Sequence, residues 1–302
     1  MLQNFKYQIL LHFIVFIWGF TAILGEYIKL DSFELVWYRM AIAFASLFLF
    51  ALIAGKNPFF PDKRNFIKVF SVGAIVGLHW ITFFAAIKVS SVSVAVIAMS
   101  SSTFFMALLE PLVFKRKIRA YEIMLSLAIL FGIFMIQYFM ETDEQRTTGG
   151  NVALGITLAL TSSFLATVFT VINGTFIKKM DSLRITIWEM MGGLLVTSLA
   201  IMGTTGFKEE RFLMSSNEWI AILILALVCT SFAFLASTWV MKFVTPFTVS
   251  ISVNMEPIYA MILAILIFPE SETMTAEFYI GALIIILAVF LNAFFKSKFS
   301  SK

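Results

Sequence analysis

An unbroken apolar stretch of about 20 residues, rising about 1.5 Å per residue as a helix, reaches across the hydrocarbon core of a bilayer. This chain of 302 residues contains ten such stretches, near 8–25, 33–54, 66–87, 91–110, 120–139, 151–173, 183–203, 218–240, 245–268 and 276–295. The runs are continuous rather than alternating, which predicts helices and not the strands of a barrel. What remains is short. The longest polar connections, Glu141–Gly150 and Thr204–Asn217, are too small for a soluble domain.

Composition agrees, with 60% hydrophobic and 13% charged residues, where a soluble domain carries about a quarter charged. A soluble enzyme, a disordered chain and a nucleic-acid binder are thereby excluded. One cysteine, Cys229, allows no disulfide framework and no cysteine-cluster metal site, and two histidines, His12 and His79, argue against zinc. No metal and no cofactor is expected. The first span has a Lys6 flank like a signal peptide, but no small-residue cleavage signature follows it, so it reads as retained.

Lysine and arginine set the orientation. With the N-terminus in the cytoplasm, 16 fall on the inner side, in clusters such as Lys63, Arg64 and Lys68, or Lys115, Arg116, Lys117 and Arg119. Only 5 fall outside, namely Lys29, Lys88, Arg146, Lys208 and Arg211, while Arg39 lies within a span. The asymmetry places both termini in the cytoplasm. It also supports the span count, because losing one span would scramble the alternation.

The chain reads as a duplication. Asp31-Ser32-Phe33 opens span two and Asp181-Ser182-Leu183 opens span seven, 150 residues on. Further along the offset is 154, matching Lys88 with Lys242, Leu109 with Leu263 and Phe114 with Phe268. Residues 1–145 and 146–302 then form two repeats of five spans. Five is odd, so the second repeat enters the membrane inverted relative to the first. Inverted repeats are a recurring device of secondary transporters, with the substrate site near the midplane where the repeats meet. The predicted fold class is an all-α integral membrane protein of ten transmembrane helices in two inverted five-helix repeats.

Certain motifs also carry a resemblance. They are Trp18-Gly19-Phe20 in span one, Tyr38-Arg39-Met40 in span two, Asn254-Met255-Glu256-Pro257 in span nine, and Phe268-Pro269-Glu270 followed by Phe278-Tyr279-Ile280-Gly281. In this order and frame the chain resembles the ten-helix EamA branch of the drug/metabolite transporter superfamily. The resemblance implies an inner-membrane carrier, an exporter of amino acids or other small metabolites. The family often has proline where this chain has Thr103, which implies a straighter fourth span.

Ionisable groups inside spans are expensive, and each is a functional candidate by default. Glu256 falls about 16 Å into span nine, near the midplane, with Asn254 and Pro257 beside it. It reads as a substrate or proton site, or else as a structural carboxyl bonded to a neighbouring helix. His79 lies at similar depth in span three, beside Trp80. It reads as a switchable imidazole or as a histidine satisfied by a backbone carbonyl. Ser100, Ser101, Ser102 and Thr103 form the most polar midspan run, and the repeat register sets Ser102 opposite Glu256 and Ser100 opposite Asn254. That pairing suits a polar or zwitterionic ligand with a cationic end, although small hydroxylic residues also serve helix packing. Trp18 could wall the cavity. Arg39 and Glu189 are equivalent under the repeat. Arg39 could hold an anion, pair with Glu34 or snorkel to the interface, and Glu189 could find His12. Each is a candidate gate. Gly73 and Gly77, Gly192 and Gly193, and Ala128 and Gly132 mark close helix approach.

Together these point to a secondary carrier of a small polar solute, working by alternating access, with the bilayer and protons as partners and a monomer or homodimer as the assembly. No Walker A pattern occurs, so this chain supplies no ATP drive. The alternative is a lipid or isoprenoid-linked flippase or membrane enzyme, but no nucleophile–base constellation supports catalysis. The orientation has a direct check. In a Cys229→Ser background, Lys208→Cys should react with a membrane-impermeant thiol reagent on intact cells, and Lys63→Cys only after lysis. The reverse pattern would overturn the assigned orientation.

Overall fold

The computed structural model describes residues 2–60, 62–115, 117–142, 151–243, 252–253, 255–272 and 274–300. Every regular element among them is helical. Seven helical segments are long and apolar enough to cross a bilayer, and three shorter apolar helices complete ten spans. In chain order these are Leu2–Tyr27, Ser32–Ile53, Lys63–Val89, the pair Val92–Met99 and Ser102–Phe114, Ala120–Thr142, Val152–Phe176, Ser182–Thr204, Ser216–Val240, Glu256–Ile267 and Ala276–Ser300. The protein is therefore an all-α integral membrane protein built from two inverted five-helix halves. The expected boundary at 145/146 lies outside the described residues.

Helix starts follow ordinary capping chemistry. The side chains of Asp62, Ser91, Asn151, Asp181 and Ser215 accept hydrogen bonds from the first free N–H groups of spans three, four, six, seven and eight. Asp31 stands at the equivalent place before span two but makes no such bond. Its carboxylate is engaged by Arg211 instead.

The halves interlock as a twofold arrangement requires. Spans two and seven, four and nine, and five and ten pack against each other, and each pair joins equivalent helices. Span three packs on span six, as span eight packs on span one. The closest crossings use glycine. A Cβ on Gly132 would meet Ile285 and the Gly281 carbonyl, and a Cβ on Gly281 would meet Ile136 and the Gly132 carbonyl. The reciprocity is a direct signature of the duplication. Between spans three and seven, a Cβ on Gly73 would overlap the Glu189 backbone, and one on Gly192 the Phe70 carbonyl. In a membrane, where lipid is as apolar as leucine, such backbone contact is the main source of helix association.

Among the described residues spans four, eight and nine depart from regular helix; the departures in spans four and nine border one cavity, and the one in span eight aims Thr230 at Arg39 of its lining. Span four breaks at Ser100-Ser101, where Ser100, Ser101 and Thr103 each donate to the carbonyl three residues back. The expectation of a straighter fourth span is thus corrected: the break needs no proline, because consecutive serines weaken helical preference by competing for backbone groups. The Met99 carbonyl at the break accepts a hydrogen bond from Ser163 Oγ of span six. In span nine the helix Glu256–Ile267 begins with Pro257 in its first turn, where a missing N–H costs nothing. In span eight a π-helical segment, Leu227–Phe232, widens the helix. There Thr230 and Ser231 hydroxyls donate to the Leu225 and Ala226 carbonyls five residues back.

The glycine crossings predict an ordered stability series. Gly73→Val and Gly281→Leu should each destabilise the protein by about 1–3 kcal/mol through overpacking, read as lowered thermal unfolding in detergent. Gly203→Ala, with nothing within 4 Å of the added carbon, should leave it unchanged. Equal effects at the three positions would contradict the packing described.

Candidate functional site

Spans one, two, three and four of the first half and six, eight and nine of the second enclose a cavity of about 170 Å³. Its polar lining includes Trp18, Arg39, His79, Ser100, Ser102, Asn173 and Glu256, and its apolar wall includes Trp80, Phe83, Phe169 and Phe234. The side chains come together because these helices turn polar residues inward, beside the breaks in spans four and nine.

Arg39 is the central group. It is only 2% exposed, so snorkelling is ruled out as its role. Its Nε donates to Thr230 Oγ1 at 2.6 Å. The Thr230 hydroxyl hydrogen is already committed to the Leu225 carbonyl, which leaves the oxygen free to accept. The π-helical segment is what aims this threonine across the bundle. The guanidinium carbon lies 3.7 Å from the centroid of Trp80 and 5.5 Å from that of Phe84, a cation–π stack of the kind that gains strength when dry. Pairing of Arg39 with Glu34 is not found. Glu34 bonds Arg211 at 2.6 Å.

His79 is tied between spans three and six. Its Nδ1 lies 3.0 Å from the Ser162 carbonyl and 2.7 Å from Ser162 Oγ, and Ser162 Oγ donates back to the His79 carbonyl at 2.9 Å. A carbonyl oxygen only accepts, so Nδ1 carries the hydrogen and the neutral ring keeps Nε2 as an acceptor. The satisfied-histidine reading therefore holds for one nitrogen, while the ring also lines the cavity.

The remaining candidates divide. Trp18 lines the cavity, with Nε1 donating to the Cys229 carbonyl at 3.2 Å. Ser100 and Ser102 face the same space as Glu256. Ser101 and Thr103 are buried beside the cavity rather than on its wall, and the Ser101 hydroxyl has no partner. Asn254 lies outside the described residues. Glu189 is fully buried behind the cavity. Neither of its carboxyl oxygens has a hydrogen-bond partner. His12 is exposed on span one, so the expected Glu189–His12 pairing is not formed. Thr230 and Asn173 escaped the sequence reading. A lone asparagine in an apolar span was a legible signal, whereas the threonine matters only because of the π-helical segment.

Outside the cavity the halves hold each other's loops reciprocally. Tyr38 of span two donates to the Phe212 carbonyl in the loop after span seven, at 3.2 Å. Its repeat equivalent, Trp188 of span seven, donates to the Pro58 carbonyl in the loop after span two, at 2.8 Å. Arg211 reinforces the first by bridging Asp31 and Glu34 at 2.5 and 2.6 Å, and those carboxylates hold its guanidinium above its usual range. Arg184 reinforces the second by donating to the Asn57 carbonyl at 2.8 Å.

Comparison with known proteins bears on this arrangement. The EamA-like transporter family matches residues 6–138 and again residues 153–294. A curated relative, the "Uncharacterized transporter YdfC" of Bacillus subtilis (strain 168), is 23% identical over 242 residues, which cover 80% of this chain and 76% of that protein. A crystal structure superposes over 97% of this chain and 98% of its own with a TM-score of 0.66 at 13% identity, a likeness of fold.

The His79 tie makes a stability prediction. His79→Ala removes the Nδ1 donor from Ser162 but keeps the hydrogen bond from Ser162 Oγ to the backbone carbonyl of residue 79, and should cost about 1–3 kcal/mol, while His79→Asn, which keeps a donor near Nδ1, should cost less. Thermal unfolding reads the difference, and wild-type stability of His79→Ala would contradict the geometry.

Proposed function

The chain belongs to the EamA-like transporter family, and from that membership we propose that it is a secondary carrier moving a small polar metabolite, such as an amino acid, out across the inner membrane by alternating access. The observation that carries this reading is a polar cavity walled by both halves of an inverted pair, with Arg39 and Glu256 in its lining. In the proposed cycle residues 1–145 and 146–302 rock against each other around that cavity, as inverted-repeat carriers do. Both termini lie in the cytoplasm. Trp18, His79, Trp80, Ser100 and Glu256 on the cavity wall serve the solute together with Asn254; Ser101 and Thr103 back that wall; and His12, Arg39, Glu189 and Glu256 serve gating or coupling. One chain closes the cavity by itself, so a monomer suffices and a homodimer adds no wall. Export follows the family resemblance.

The drive is a gradient. A carboxyl or imidazole in the cavity wall can take a proton on one side and release it on the other, which assigns proton coupling to Glu256 or His79. Purified protein in liposomes should show saturable counterflow of its solute. The double variant Glu256→Gln, His79→Gln should lose the response to a pH gradient, and a full response in that variant would sink the proton assignment.

The two loop contacts are the latches of the cycle. A Ser237→Cys probe on the cavity wall, in a Cys229→Ser background, reports access. Arg211→Gln should raise its labelling from outside and Trp188→Phe from the cytoplasm, each by about fivefold, the shift that about 1 kcal/mol produces. Identical effects from both sides would contradict alternating access.

A further inference from the structure

We propose that Arg39 and Glu256 hold opposite ends of the carried solute, Arg39 a carboxylate and Glu256 an ammonium, so that the solute is a small zwitterion with a fixed direction in its site. This rests on the carrier reading above and adds to it which residue holds which end.

The argument begins with what Arg39 lacks. A guanidinium has five N–H donors and no acceptor. One donor, Nε, is used by Thr230, and one face of the plane is covered by Trp80. Nη1 is enclosed and has no partner, and among the described residues no acid lies within ion-pair distance of Arg39. A buried charge left in this state costs far more than one hydrogen bond and one stack return. The shortfall is at Nη1, part of the fork that receives a carboxylate, and the residue lines the cavity.

Glu256 supplies the second half. It lines the same cavity and lies close enough for its charge to act on Arg39, yet the two form no ion pair. A guanidinium and a carboxyl group therefore line one cavity without pairing with each other. A simple anion would answer Arg39 and leave Glu256; a simple cation would do the reverse; a neutral solute would answer neither. A zwitterion answers both. The neighbours fit that orientation. The His79 ring offers Nε2 as an acceptor to the ammonium, because Nδ1 is committed to Ser162. Trp18 Nε1 is committed to Cys229 and competes for neither end. The volume, about 170 Å³, suits a small solute.

The test uses the purified full-length protein in lipid nanodiscs. Thermal stabilisation is measured with each common L-amino acid, its methyl ester and its deaminated acid. At least one amino acid should stabilise the protein, with its ester and its deaminated acid each binding about tenfold weaker or worse, as loss of a charge-assisted hydrogen bond implies. Arg39→Gln should weaken the preferred amino acid by about ten- to hundredfold, Arg39→Lys by less, and Glu256→Gln should remove the preference over the deaminated acid. The ester comparison needs no variant, so a misfolded Arg39→Gln cannot mask the result. The assignment is overturned if no amino acid stabilises the protein, if the ester or the deaminated acid binds as tightly as the amino acid itself, or if a folded Arg39→Gln binds within about twofold of wild type. Counterflow separates this from the carrier reading. Saturable counterflow of a solute lacking a carboxylate would sink only the zwitterion, whereas no counterflow of the stabilising amino acid would sink the carrier.

Discussion

A guanidinium withdrawn from water inside a bilayer must be answered by other groups, and the organisation of this protein turns on how Arg39 is answered. Lipid offers nothing. The protein offers a threonine oxygen 2.6 Å from Nε and an indole face 3.7 Å from the guanidinium carbon, then stops short of full satisfaction. Each partner depends on a further feature. Thr230 reaches Arg39 because span eight widens into a π-helical segment, and helical segments of that kind recur at functional positions. Trp80 is presented by span three, which the Gly73 and Gly192 crossing presses against span seven.

Close packing elsewhere makes the incomplete burial affordable. Helices that meet backbone to backbone at Gly73, Gly132, Gly192 and Gly281 seam the two halves together through spans three and seven and spans five and ten, while three of the helices that border the cavity, spans four, eight and nine, are irregular. The division is physical. Glycine crossings maximise contact in a solvent that gives no hydrophobic help, and broken helices free carbonyls and aim hydroxyls where a polar solute can use them. The Met99 carbonyl, exposed by the break at Ser100-Ser101 and taken up by Ser163, shows how cheaply a break can be repaired from a neighbouring span.

Much of this was legible in the residues. Ten apolar runs, the lysine and arginine asymmetry and the Asp31/Asp181 correspondence point to the architecture, because hydrophobic length and charge placement are the strongest constraints a bilayer imposes. The cavity was partly legible. His79, Trp80, Ser100, Glu256 and Trp18 are intramembrane polar or aromatic groups, and intramembrane polarity needs a reason. Pairings were not legible. Glu189 buried away from an exposed His12, Glu34 against Arg211 rather than Arg39, and the break in span four without proline all depend on helix rotation and crossing distance, which a linear register does not contain. Equivalence under the repeat was a better guide to placement than to contact: Arg39 and Glu189 are equivalent, yet one lines the cavity and the other is sealed behind it.

The most direct measurement is a high-resolution experimental map of the protein in a lipid nanodisc. The account predicts Arg39 with Nε on Thr230 and its plane over Trp80, apart from Glu256, with ordered water or a bound anion at the terminal nitrogens in a space walled by both halves. A map showing Arg39 extended to the lipid headgroups, or sealed in a dry ion pair with Glu256, would contradict it.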